Sequence, residues 1–122
     1  MSTPSEIVID GTVYTPQNRA APKRDGMPYV IARCTGAGVH AGYLESRDSE
    51  GVVVLRDARR IWYWKGAATL SELAVSGAKH PMECKIALAV DRHELRLGDV
   101  CELIHTQAKG AKMLQEVEAW TA

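Results

Sequence analysis

The sequence predicts an α+β domain: a mainly antiparallel β-sheet or small barrel, with a short central helix and a C-terminal helix. Three observations lead there. Short runs of β-branched and aromatic residues recur between turns containing Gly and Asp. Thr69-Leu70-Ser71-Glu72 has the form of a capping box, in which a hydroxyl and a carboxylate satisfy the free amides of a helix start. From Thr106 onward the apolar residues change to helical spacing, at Gly110, Met113, Leu114 and Val117.

Taken in chain order, Ile7-Val8-Ile9 and Thr12-Val13-Tyr14 flank Asp10-Gly11, a strong hairpin signal. Residues 15–26 are rich in Pro, Gly and charge and show no apolar period, which predicts a flexible linker. The chain thus divides into an N-terminal hairpin and linker, 1–26, and a β-rich core domain, 27–122. In the core, Tyr29–Cys34 and Val39–Leu44 read as strands around the turn Thr35-Gly36-Ala37-Gly38. Val52–Leu55 and Arg59–Trp64 read as two more, an antiparallel pair separated by Arg56-Asp57-Ala58. Thr69 caps a helix that Gly77 ends and Pro81 cannot continue. Lys85–Val90 alternates, with Cys84, Ile86, Leu88 and Val90 on one side, and Val100–His105 is the last strand. About six core strands result.

The totals restrict function. Lys plus Arg and Asp plus Glu are 15 each in 122 residues, so the formal charge is zero. Coating DNA or a membrane needs a field of positive charge, which this balance disfavours; a small anion held by a few arginines remains open. No apolar run approaches the roughly 20 residues that span a bilayer, and the first residues lack the pattern of a secretion signal. Cys34, Cys84 and Cys101 are odd in number and unpaired in spacing, which points to reduced thiols in a cytoplasmic protein. His40, His80, His93 and His105 have no metal-ligand spacing, and no residue sits in a nucleophile motif. No catalytic residue, metal or cofactor is expected.

The most unusual stretch is Arg59-Arg60-Ile61-Trp62-Tyr63-Trp64-Lys65. Strand alternation places Arg60, Trp62 and Trp64 on one face and Arg59, Ile61, Tyr63 and Lys65 on the other. Indole stacks on bases and guanidinium pairs with phosphate, so the segment suits a nucleotide. It equally suits a subunit interface, and a homo-oligomer is expected because so much aromatic surface exceeds one face of a small core. The amides of the small-residue turn at Thr35 and Gly36 could cradle phosphate, flanked by Arg33 and His40. The candidate ligand-binding residues are therefore Arg33, Thr35, Gly36, His40, Arg59, Arg60, Trp62 and Trp64.

The order DGTVY, a Pro- and charge-rich linker, MPYVIARCTGAGVHAGYLESRD and VVVLRDARRIWYWKGAATLSELA resembles a family of small uncharacterised tailed-phage proteins with RTYSAGV- and NARRLWYW-type segments. The likeness is densest from Met27 to Ala74. Where those proteins carry Tyr-Ser-Ala-Gly, this chain has Thr35-Gly36-Ala37-Gly38, without the stacking tyrosine. The resemblance implies kinship with phage anti-defence sponges, of the anti-CBASS or anti-Thoeris kind. The implied function is binding and sequestering a cyclic nucleotide immune signal, without catalysis, in the cytoplasm of the infected bacterial host. The alternative is a nucleic-acid-binding or protein-interaction module of a phage.

Overall fold

The computed structural model describes residues 7–9, 12–14, 19–96 and 100–122. Strands β1 (Ile7–Ile9) and β2 (Thr12–Tyr14) pair antiparallel in the register Ile7 with Tyr14 and Ile9 with Thr12. This is the hairpin expected from Asp10-Gly11, though the turn itself lies outside the described residues. The linker expected at 15–26 is described only from Arg19, and there it lies on the core. The Ala21 amide donates to the Thr106 carbonyl, and the Ala108 amide donates to that of Arg19.

The core is a six-stranded antiparallel open sheet with two helices, the α+β architecture read from the sequence. Its strands are β3 (Tyr29–Cys34), β4 (Gly38–Arg47), β5 (Val52–Tyr63), β6 (Lys85–Ile86), β7 (Val90–Arg96) and β8 (Val100–His105). The order across the sheet is β6-β5-β4-β3-β8, with β7 beside the first half of β5. Among the described residues, no helix is long and apolar enough to cross a membrane.

Two expectations about the strands need correction. Val52–Leu55 and Arg59–Trp64 are not a hairpin but one continuous strand, β5. Arg56-Asp57-Ala58 is a bulge: Asp57 has a φ of 48°, and the register against β4 gains one residue between Ala41 and Tyr43. A bulge changes which way side chains point without ending the strand. The alternation expected through Lys85–Val90 also fails. β6 stops at Ile86, and Leu88 and Val90 are exposed while Ile86 is fully buried. β7, which follows, was not foreseen; it carries five charged residues or His in seven and buries chiefly Leu95.

Helices α1 (Leu70–Ser76) and α2 (Ala108–Glu116) cover one face of the sheet. There Leu73, Ala74, Ala111 and Leu114 pack on Ile31, Ala41, Ile61 and Ile86. On the other face Val30, Ala32, Val53, Leu55 and Leu95 form a second cluster, joined by Val100 and Leu103 of β8. Strands β7 and β8 both feed this cluster, yet among the described residues they do not pair with each other, and the sheet is open.

The Thr69 cap forms as read, while the Glu72 carboxylate reaches the amide of Ala68, one residue before the cap, and not that of Thr69 itself. Thr69 Oγ1 accepts from the Glu72 amide at 3.1 Å, and Glu72 Oε1 accepts from the Ala68 amide at 3.2 Å. A helix of seven residues has little stability of its own. Thr69→Ala is therefore expected to lower the unfolding free energy by about 1 kcal/mol. Urea denaturation checks it, as a lower midpoint with an unchanged slope.

Candidate functional site

A polar cleft forms where β3, β4 and β5 face α2. Tyr29 on β3 stands directly across from Tyr43 on β4, and opposed residues in an antiparallel pair share a side. Their rings meet edge to face with centroids 5.0 Å apart. The Asp57 bulge then resets β5. Ala58 joins the second cluster and Arg59, opposite Ala41, turns to the helix face. Arg24, from the segment before β3, and Gln115, from α2, complete a cleft of about 330 Å³.

At the buried end, Arg59 is 6% exposed. Its Nε donates to the Ala87 carbonyl at 2.7 Å, Nη1 to that of Leu114 at 2.9 Å and Nη2 to that of Ile86 at 3.4 Å. A guanidinium has five N–H donors, so donors remain. Among the described residues no carboxylate forms an ion pair with it. Burial works against its charge and pulls its pKa down, an effect Tyr29 partly opposes. The Tyr29 hydroxyl is buried and finds no hydrogen-bond partner among the described residues. Burial pushes its pKa well above the ordinary tyrosine value, so it is a neutral donor. An unsatisfied buried hydroxyl costs about 1–3 kcal/mol.

At the mouth the groups are mobile in kind but paired. Arg24 forms an ion pair with Asp57, which raises its pKa, and its guanidinium carbon lies 4.2 Å from the centre of the Tyr43 ring. Gln115 Nε2 donates to the Tyr43 hydroxyl at 3.0 Å. The cleft thus offers an uncompensated cation and a free hydroxyl at its floor, with an aromatic platform, a carboxylate and a second guanidinium above. An anionic group fits below and a planar, hydrogen-bonding group above.

The residues expected to bind ligand are split between the two faces. Arg59 alone enters the cleft. Arg33 lies on β3 and pairs with Glu102 of β8 at 2.8 Å. Thr35 and Gly36 are exposed in the β3–β4 turn. His40 is fully buried on the opposite face, its Nε2 2.9 Å from the Ala37 carbonyl of that turn. Arg60 is cross-strand from His40, and Trp62, at the register shift between Ile61 and Tyr63, is 67% exposed. Trp64 does not share the face of His40. Beyond that shift it is half-buried against the helix-side core, its Nε1 donating to the Ala67 carbonyl at 3.1 Å. The structure therefore brings together His40, Arg60 and the 35–38 turn, and leaves Arg33 and Trp64 apart from them.

Five polar cleft residues escaped the sequence reading: Arg24, Tyr29, Tyr43, Asp57 and Gln115. One signal was present. Tyr29 and Tyr43 are each seven residues from Gly36, so they oppose each other across a three-residue turn at 35–37; the turn read at 35–38 would have set Tyr29 against Leu44 instead. Among the described residues, no three His, Cys, Asp or Glu side chains gather as a metal site requires.

His40 makes a testable contribution to acid stability. Burial is the main force lowering its pKa below 6.5, followed in the same direction by His93, whose ring centroid is 4.8 Å away, and by Arg60. A base with a depressed folded pKa stabilises the fold above its unfolded pKa, and that stability is lost as pH falls through the folded pKa. Stability of the wild type should therefore decline below about pH 6.5. His40→Gln should flatten that decline, read by urea denaturation at a series of pH values.

The model of one family, described as Domain of unknown function (DUF6948), matches residues 27–114. No curated protein and no solved structure matches the chain.

Proposed function

We propose that this chain, which belongs to the DUF6948 family, is a binding protein that holds a small nucleotide in the Arg59 cleft without transforming it. The observation that carries the reading is the buried Arg59 guanidinium, with no carboxylate partner among the described residues, beside the unsatisfied Tyr29 hydroxyl. A phosphate oxygen would satisfy both. The Tyr43 ring, on which Arg24 now lies, is the platform for a base, and Arg24 becomes a second phosphate partner when displaced. The lining groups suit holding: two guanidiniums stay protonated and the phenol is held neutral. With the resemblance noted in the sequence, the ligand is a cyclic nucleotide immune signal. The setting is a phage protein in the cytoplasm of the infected host.

The test is incubation of the purified chain with a panel of cyclic and linear nucleotides, then washing, denaturation and chromatography of what is released. Intact nucleotide supports the reading, altered nucleotide means catalysis, and an empty protein overturns it. Loss of the platform in Tyr43→Ala should weaken binding by roughly 5- to 150-fold in titration calorimetry, the range of one base–aromatic contact. A second reading rests on Trp62 and Arg60, both exposed toward the end of β5. That pair suits stacking on single-stranded nucleic acid, and a steep loss of affinity with salt would mark it.

A further inference from the structure

We propose that the outer edge of β7 pairs with the same edge of a second copy of this chain, antiparallel and centred on His93. This goes beyond ligand binding and does not depend on it. The β7 strand is seven residues long and pairs with β5 on one side; among the described residues no strand pairs with its other side. Its sequence, VDRHELR, has no Pro, no Lys and no bulge in its register with β5 from Val52 to Arg56, and its charges, which would blunt pairing with an unrelated strand, are of both signs and can be matched by a second copy. The other strand on that flank, β6, is two residues long and has the C-terminal tail beside it, through the Trp120 amide donating to the Ile86 carbonyl.

Symmetry then restricts the register. Two copies of one strand pair antiparallel about a two-fold axis normal to the sheet, so residues of the same face must oppose each other. His93 lies on the face of the second cluster, opposite Leu55, while Arg92 and Glu94 lie on the other face, where they form an ion pair with each other. A pairing centred on Arg92 sets arginine against arginine, and one centred on Glu94 sets glutamate against glutamate. Centred on His93, Arg92 of each copy opposes Glu94 of the other, and the two ion pairs merge into an alternating set of four charges. Like charges directly opposed destabilise a strand pair and opposite charges stabilise it. Centring on Leu95 also sets Glu94 opposite Arg96 but pairs only three residues of the strand, whereas centring on His93 pairs all seven with opposite charges matched, and this is the register the strand favours. Exposed Val90 and Leu88 lead into the same edge and supply apolar surface at its ends.

The experiment is sedimentation of the full chain over a concentration series, for the wild type and charge variants. The wild type should dimerise. Arg92→Glu and Glu94→Arg each place two like-charge contacts across the axis and should weaken the dimer at least roughly tenfold. The double variant R92E/E94R should recover it, which loss of folding would not. His93→Cys should give a disulfide-linked dimer on mild oxidation, since directly opposed Cα atoms lie about 4.5–5.5 Å apart. The wild-type chain, with its own three cysteines, should not form that linked species. A wild-type monomer at all concentrations overturns the proposal. So does a dimer indifferent to the single reversals, which would place the contact elsewhere, as on the Trp62 surface.

Discussion

Arg59→Met should lower the unfolding free energy by about 2–4 kcal/mol and abolish nucleotide binding. The methionine fills the space but donates nothing, so the carbonyls of Ala87 and Leu114 lose the guanidinium that satisfies them. The Ile86 carbonyl suffers less, because the Trp120 amide also donates to it. Those acceptors belong to three separate pieces: the end of α2, strand β6 and the segment joining β6 to β7. Arg59 is the tie among them. Arg59→Lys keeps the charge but not the fork, and one ammonium cannot serve three divergent carbonyls. It should fall between wild type and Arg59→Met in urea denaturation. Stability near wild type for Arg59→Met would mean that this side chain is held for the ligand alone.

Gly110→Ala should be at least as damaging, at about 3 kcal/mol or more. A Cβ at Gly110 would sit 2.1 Å from the Ala74 carbonyl oxygen and 2.7 Å from that of Leu73. Both are backbone atoms of α1, so no side-chain rotation relieves the clash. Moving α1 away withdraws Leu73 and Ala74 from the core and breaks the bond from the Gln107 amide to the Ala74 carbonyl. The propensity of alanine for helix would by itself stabilise the substitution by about 1 kcal/mol. The sign of the measured change therefore tells whether close helix packing or propensity rules this position, and thermal unfolding reads it directly.

The elements that were legible in the sequence are those whose signals are local. The Thr69 cap, the hairpin of β3 and β4 and the helical spacing after Thr106 each depend on residues within one turn or strand of one another. The Arg56-Asp57-Ala58 segment misled because its composition is that of a turn. An aspartate in the left-handed region serves a turn and an in-strand bulge equally well. The β7 strand was invisible for a related reason: both its residue choice and its position at an edge leave it without an apolar period, since Leu95 is its one buried member. The helix-side role of Trp64 was misplaced by the register shift after Ile61, an irregularity that alternation cannot anticipate.

The cleft could not be read for a different reason. Arg24, Tyr29, Tyr43, Asp57, Arg59 and Gln115 come from four elements and the segment before β3, and spacing marks only the Tyr29–Tyr43 pair among them. Arg59 stands out in the sequence for its cationic, aromatic neighbourhood, yet the groups it meets are the carbonyls of Ala87, Leu114 and Ile86 on the helix side. The bulge decided that, by turning Arg59 toward the helices and Arg60 toward His40.

The pairing of β3 with β8 sets the order in which the molecule can be completed as it leaves the ribosome. Val30 bonds opposite His105, so the first strand of the core waits for the last. Meanwhile β5 has β4 beside it but lacks its other neighbours until residues 85–96 emerge. Before then a nascent chain offers two bare, apolar strand edges at once, at β3 and β5. Such edges are where unfinished sheets stick to one another, and distant pairings of this kind form slowly. Full burial of Ile31 and Leu55 therefore waits for residues 100–116, which supply β8 and α2 together.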